Sequence, residues 1–299
     1  MDDFATFLRP LEGGHSGETF LAGAGGEETV VRIYGGRSAL RGPLAPEIDA
    51  AVLELVRGLL PVPDVLEVRR GDLEAGLPGL LVTSLLPGAR LDLVLPGLDA
   101  QQQMVVGSQL GTILGRLGHM VQPRAGIFAD RLLAVDELPE HLRELPAWVR
   151  WHEGRLGAGL VEGLLGVAED AQDLLDEDRG VCLVHADLNS KNVLVDPVSL
   201  EVTGVLDWEF AHAGSPYSDL GNLLRLDRAP AFEESVLKAY RAFMPPTPDD
   251  LLERARAADL FALVDLAARA GDNEIVVAAR ALLSVVAATG DLHAAVPKS

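Results

Sequence analysis

The stretch from His185 to Glu209 constrains this chain more than any other. It reads His185-Ala186-Asp187-Leu188-Asn189-Ser190-Lys191-Asn192 and then the apolar run Val193-Leu194-Val195. Asp196-Pro197-Val198-Ser199-Leu200 carries turn residues, and a second β-type run from Val202 to Leu206 leads into Asp207-Trp208-Glu209. The pattern predicts an antiparallel hairpin. Asp187 and Asn192 stand five apart at its mouth, and the returning strand delivers Asp207 close to Asn192. One carboxylate beside two further oxygen donors suits phosphoryl transfer, which needs positioning and charge neutralisation more than covalent help from protein. Magnesium takes such hard oxygen ligands and keeps part of its water shell. Two other readings exist. Asp187 and Asn192 could be turn and cap residues around a core His185. A metal hydrolase built on His185 and Asp187 would need more ligands, and His212 is the nearby histidine.

Around this island the chain changes character. The first third reads as strands and turns with one helix. Gly13-Gly14-His15-Ser16-Gly17 separates Leu11 from Phe20-Leu21 and predicts a glycine-rich hairpin turn. Thr29 to Tyr34 is a β-rich run, and Leu80 to Leu86 is a buried-type strand ended by Pro87-Gly88. Between them Pro46-Glu47 opens a helical pattern through Ile48, Val52, Leu55 and Leu59, stopped by Pro61 and Pro63. Beyond residue 87 the spacing turns helical, over about 99–119 and 160–177. Thr247-Pro248-Asp249-Asp250 has a helix-start arrangement. The expected fold class is α+β, with a small β-rich lobe over residues 1–86 and a larger, mainly helical lobe over 87–299.

The string His-x-Asp-Leu-x-x-x-Asn over 185–192 matches the catalytic loop of protein kinases except that Ala186 replaces its Arg. With Asp207-Trp208-Glu209 after it, the island resembles the aminoglycoside phosphotransferase family of kinase-like enzymes. That resemblance implies a two-lobed protein-kinase-like fold using ATP or GTP with Mg2+ to phosphorylate a small-molecule hydroxyl. It implies Asp187 as catalytic base, Asn192 and Asp207 as metal ligands, and His185 as a structural brace. Asp219, in Ser218-Asp219-Leu220-Gly221, would hold the catalytic-loop backbone. Glu47 would pair with the nucleotide-binding cation on the strand, a position that carries Arg32 where the family usually has Lys. The chain has three lysines, Lys191, Lys238 and Lys298, none of them in the first third. An Arg can grip phosphate and Glu47 through its fork, though the two side chains are not interchangeable. Ser16 would donate to a terminal phosphate, Ser84 and Leu86 would face the adenine, and Lys191 would help to neutralise the transferred group.

The substrate leaves a fainter trace. The net charge of −20, from 45 carboxylates against 25 Lys plus Arg, repels phosphate backbones and so disfavours nucleic acid. It agrees with a cationic small molecule, although the excess is spread over both parts of the chain and also fits a solvated acidic surface. Glu209 and Asp227 are candidate substrate contacts, as is the stretch holding Glu137, Glu140, Glu144, Trp148, Trp151 and Glu153. Packing is the plainer account of both tryptophans. A cationic antibiotic such as an aminoglycoside is the leading substrate, which would make the activity one of antibiotic resistance. A sugar, amino alcohol or glycated amine, a macrolide or a basic peptide antibiotic are the alternatives, and a nucleotide-binding pseudokinase is the alternative of another class. The lone Cys182 sits in an apolar run and reads as a buried structural residue, in keeping with a reducing cytoplasm. No secretory signal or membrane-spanning run is expected.

Overall fold

The computed structural model describes residues 7–11, 19–24, 26–35, 42–72, 75–178, 180–244, 246–271 and 273–295. In chain order the first elements are β1 (Phe7–Pro10), β2 (Thr19–Ala24), β3 (Glu27–Tyr34), α1 (Ala45–Val56), β4 (Val65–Arg69) and β5 (Gly79–Ser84). There follow β6 (Ala89–Arg90), α2 (Leu91–Val94), α3 (Ala100–Gly118), β7 (Ile127–Phe128) and β8 (Val135–Asp136). Next come α4 (Leu145–Trp151), α5 (Glu153–Leu156), α6 (Ala158–Asp176), β9 (Cys182–Val184), β10 (Val193–Val195), β11 (Val202–Val205) and β12 (His212–Gly214). The chain ends with α7 (Ser218–Leu224), α8 (Pro230–Phe243), α9 (Leu251–Ala268) and α10 (Glu274–Thr289). None of the described helices is long and apolar enough to cross a membrane.

The chain divides into two compact units. One comprises Met1–Gln102, Ile127–Asp136 and Ser190–Ala211. Its main sheet is antiparallel, with strand order β1-β2-β3-β5-β4. Gly26, at φ +87°, supplies the left-handed turn residue between β2 and β3 that a side chain would resist. Helix α1 starts with Pro46 in its first turn, where the missing N–H removes no helical bond. It packs its buried Ile48, Val52 and Val56 face towards β4 and β5. The helix stops at Val56, three residues before the expected Leu59. Arg57 turns extended, Gly58 takes φ +81°, and the amides of Leu59 and Leu60 fold back on Val56 O at 3.0 and 3.1 Å. The β10–β11 hairpin also belongs to this unit. It pairs with β6 through Leu194–Arg90 and Val195–Ala89, and Val205 N donates to Pro61 O at 2.8 Å.

The other unit comprises Gln103–Gly126, Glu137–Asn189 and His212–Ser299. Its core is lined by Leu145 and Val149 of α4, Val161 and Leu164 of α6, Val264 of α9 and Leu283 of α10. Each such fully buried aliphatic side chain contributes about 1.5–3 kcal/mol. The start of α9 departs from expectation. It begins at Leu251 with Asp250 at the boundary, and neither Thr247 nor Asp250 caps it, because the Asp250 carboxylate is taken by Arg254 one turn on at 2.9 Å.

Glycines let two helices of this unit meet at backbone distance. Gly107, Gly111 and Gly115 repeat every four residues along α3 and face α8. A Cβ on Gly111 would overlap Val236 O and lie 2.8 Å from Ala239 Cβ. Gly111→Ala is therefore expected to destabilise by about 1–3 kcal/mol, because overpacking against a rigid neighbour outweighs the roughly 1 kcal/mol that Ala gains in helix propensity. Gly166, exposed on α6 with nothing within 4 Å of its would-be Cβ, sets the contrast. Gly166→Ala should stabilise by up to about 1 kcal/mol. Urea midpoints at constant m-value would separate the two signs.

Candidate active site

In the second unit, β9 pairs antiparallel with β12 and runs into the loop His185–Asn189. Asp219 on α7 reaches across: its Oδ2 accepts from His185 N and its Oδ1 from Ala186 N, both at 2.7 Å. Asp219 is almost wholly buried, and burial pushes its pKa up while His185 and the two amides pull it down. The loop needs this grip. Ala186 sits at φ +66°, a left-handed conformation that costs a non-glycine residue roughly 1–2 kcal/mol. His185, fully buried, accepts from Asp187 N through Nδ1 at 3.2 Å. A ring engaged in this way braces the loop, which leaves the metal-hydrolase reading without support. Asn189 Nδ2 donates to both Asp187 O (3.0 Å) and Asp187 Oδ1 (3.1 Å), fixing a half-buried carboxylate in one orientation. The sequence reading missed Asn189, and no spacing signal could have singled it out.

In the first unit, β10 and β11 form the expected hairpin, with Val193 opposite Val205 and an irregularity after Leu194. Leu206 N donates to Asn192 O at 2.8 Å, so the backbone of Asn192 lies across the mouth of the hairpin from the residue that precedes Asp207. Trp208, 3% exposed, anchors this end by donating to Val205 O at 3.0 Å, and Asp207 takes a left-handed backbone at φ +65°. Arg32 on β3 brings its fork to the same place. Its Nη1 donates to Asp207 Oδ1 at 2.7 Å and its Nη2 to Glu209 Oε2. Burial would lower the Arg32 pKa, but the two carboxylates more than reverse it, so the guanidinium stays charged. Arg32 also lies over the Tyr34 ring, 5.5 Å from its centroid. The Tyr34 hydroxyl donates to buried Asp49 of α1 at 2.7 Å.

One expectation is corrected here. Glu47 does not pair with Arg32; it takes the fork of Arg70 through both carboxylate oxygens at 3.0 Å. The fork of Arg32 is already engaged by Asp207 and Glu209, and α1 reaches it through Asp49 and Tyr34 instead. Glu209, expected as a candidate substrate contact, is paired with Arg32 in the structure. Ser84 hydrogen-bonds to Asp64 through its hydroxyl and its amide, both at 2.9 Å, which ties β5 to the start of β4. Leu86 packs beside Gly204 of β11. Lys191 is half-buried in the 3-10 turn Ser190–Asn192, and Asp227 is half-buried after α7. Ser16 and its glycine-rich turn lie outside the described residues.

Elsewhere in the second unit, Trp148 donates from Nε1 to Phe261 O at 2.8 Å and its ring meets His152 edge-on at 4.3 Å. Packing accounts for it. Burial pushes the His152 pKa down and favours a neutral ring. Trp151 is exposed and stacks on His141 at 3.9 Å, while Glu137, Glu140, Glu144 and Glu153 are solvated. Cys182 lies 3% exposed in β9, and burial pushes its thiol up to about 12. Its reaction with an aromatic disulfide reagent at pH 8 should be about 10³-fold slower in the native protein than in urea, since the thiolate is the nucleophile. Equal rates would show that β9 opens readily.

Residues 8–254 match the profile of the phosphotransferase enzyme family. The fold is that of a microcompartment-associated aminopropanol kinase, with TM-score 0.70 and 20% identity over 96% of this chain and 94% of that one. A thermostable variant of aminoglycoside phosphotransferase APH(4)-Ia, in ternary complex with AMP-PNP and hygromycin B, aligns with TM-score 0.66 and 20% identity over 96% and 95%. Choline kinase LicA from Streptococcus pneumoniae gives 0.64 and 15% over 95% and 94%. Among curated proteins, acyl-CoA dehydrogenase family member 10 of Mus musculus is 25% identical over 218 residues, 71% of this chain and 20% of that protein. Family member 11 of Rattus norvegicus is 42% identical over 52 residues, 17% of this chain and 7% of that protein. The chain thus spans a fifth or less of the length of these curated relatives. With the family profile matched from residue 8 to residue 254 and an antiparallel sheet followed by a helical part in the kinase-like manner, the chain belongs to the phosphotransferase enzyme family.

Proposed function

We propose that this phosphotransferase moves the terminal phosphoryl group of ATP or GTP to a hydroxyl on a small cationic molecule. The observation that carries the reading is the hairpin that brings Asn192, five residues after a carboxylate held in one orientation, next to the strand end that leads into Asp207. Asp187 accepts the proton of the acceptor hydroxyl as its oxygen bonds to the terminal phosphorus and the bond to the bridging oxygen breaks. His185, Asn189 and Asp219 hold Asp187 in place for that transfer. The amide oxygen of Asn192 and the carboxylate of Asp207 are hard donors of the kind magnesium takes. When bound there, magnesium would neutralise charge on the phosphate oxygens. Arg32 exchanges part of its hold on Asp207 and Glu209 for phosphate, and Lys191 adds a second cation.

Hygromycin B, choline and aminopropanol, named with the similar structures, all carry a hydroxyl together with an amine or quaternary ammonium nitrogen, which supports an acceptor of that chemistry. The net charge of −20 agrees with a cationic acceptor. An aminoglycoside, phosphorylated to inactivate a drug, leads. The likeness to the choline and aminopropanol kinases favours an amino alcohol as the second reading.

The test is nucleoside diphosphate release from Mg–ATP and Mg–GTP across aminoglycosides, amino alcohols, macrolides, basic peptides and sugars, with Asp187→Asn alongside. Acceptor-dependent release in the wild type alone supports the assignment. Success with an amino alcohol and failure with every antibiotic would promote the second reading. Nucleotide binding without transfer to any acceptor, the same in both proteins, would make the chain a pseudokinase.

A further inference from the structure

Helix α7 has seven residues, Ser218-Asp219-Leu220-Gly221-Asn222-Leu223-Leu224, of which all but Ser218 are buried. Arg225 follows at 7% exposure. Three polar side chains, Asp219, Asn222 and Arg225, are thus placed three apart in an apolar setting, where each needs full pairing. Asp259 of α9, itself buried, satisfies two of them. Arg225 grips it with both arms, Nε to Oδ2 at 2.8 Å and Nη2 to Oδ1 at 2.6 Å. Asn222 Nδ2 donates to Asp259 Oδ1 at 3.0 Å and to Ser218 O at 2.9 Å. Between these anchors Gly221 lets the helices touch. A Cβ there would overlap Ala255 O and lie 2.8 Å from Asp259 Cβ. The third polar residue, Asp219, instead holds the amides of His185 and Ala186.

A buried ion pair adds little net stability, because desolvation offsets the attraction and apolar residues of like volume often serve as well. What it does supply is direction: a two-pronged contact fixes distance and rotation together. Resting on the phosphotransfer reading above, we propose that Arg225 and Asp259 are positioning residues, locking α7 on α9 so that Asp219 keeps the loop backbone in the conformation that presents Asp187. Burial alone would lower the Arg225 pKa, yet Asp259 and, more weakly, Asp187 raise it, which puts this cation within electrostatic reach of the proposed base.

Arg225→Met/Asp259→Asn removes both charges together, keeps similar volume and leaves an oxygen for Asn222, so no buried ion is stranded. Its thermal midpoint should stay near wild type. Amide hydrogen exchange at His185 and Ala186 should quicken about tenfold or more, while amides in the middle of α6 keep their rates. With Mg–ATP alone as probe, kcat for ADP release should fall about 10–100-fold with KM within about twofold, the size expected when a catalytic group drifts by roughly an ångström. Arg225→Lys, which keeps the charge, should show the same pattern at smaller amplitude and serves if the double variant does not fold. Wild-type exchange at His185 and Ala186 in a folded variant would overturn the proposal. So would uniform acceleration at every amide, the mark of general destabilisation. Absence of ADP release from the wild type with every acceptor of the screen would count against the phosphotransfer reading, while the exchange rates would still decide the role of the pair.

Discussion

Asp187→Asn is expected to lower kcat for phosphoryl transfer by about 10²–10⁴-fold while leaving nucleotide affinity within about twofold. The replacement keeps the shape of the side chain and removes its capacity to take a proton. The backbone around it is held by groups that the change does not touch, namely Asp219 on the amides of residues 185 and 186 and the ring of His185 on the next. Asn189 can still donate to an amide oxygen at position 187. The loop should therefore keep its form, and loss of rate without loss of binding would mark a chemical role. Steady-state turnover with the best acceptor from the screen, set beside calorimetric nucleotide titration, reads both quantities. An undiminished kcat would remove Asp187 from the chemistry.

Arg32→Met should lower kcat/KM for nucleotide by about 10–100-fold, from loss of charged hydrogen bonds to phosphate at about 1.5–3 kcal/mol. The same change leaves Asp207 and Glu209 facing each other without their shared cation. Both are partly exposed, at 38% and 27% of the side chain, so solvent screens much of that repulsion and the protein should still fold. Arg32→Lys distinguishes charge from shape. An ammonium can meet one carboxylate or one phosphate oxygen well but cannot bridge Asp207 and Glu209 with two prongs. It should recover less than half of the loss in free-energy terms. Full recovery by Lys would mean that the fork contributes nothing here and that a point charge suffices.

How much of this was legible in the sequence follows the range of the forces involved. The β10–β11 hairpin, α3 and α6 were readable because period, turn residues and apolar runs act within about twenty residues. The grip of Asp219 on the loop was readable through family likeness alone; nothing in the spacing of 185 and 219 announces it. Glu47 shows the opposite case. Its place on α1 was foreseen, yet its partner is Arg70, because an ion pair goes to whichever cation tertiary packing leaves within reach. The pairing of Glu209 and the part of Asp49 were hidden for the same reason: they lie 177 and 17 residues from Arg32 in the chain, and both act on it, one directly and one through Tyr34. The glycine face of α3 and the meeting of Gly221 with α9 were hidden too, since a glycine in a helical run reads as a weakness until the neighbouring backbone is seen. Thr247 illustrates a local rule overridden, with Arg254 claiming the acid that would have helped to start the helix.

The engagement of Arg32 by two carboxylates has a consequence for how fast a nucleotide can arrive. With its charge already balanced, this guanidinium projects little positive potential outwards, and an incoming polyphosphate meets mainly the field of a molecule carrying −20. Capture should then quicken as ionic strength rises, the reverse of the electrostatic steering seen where an enzyme and its ligand attract.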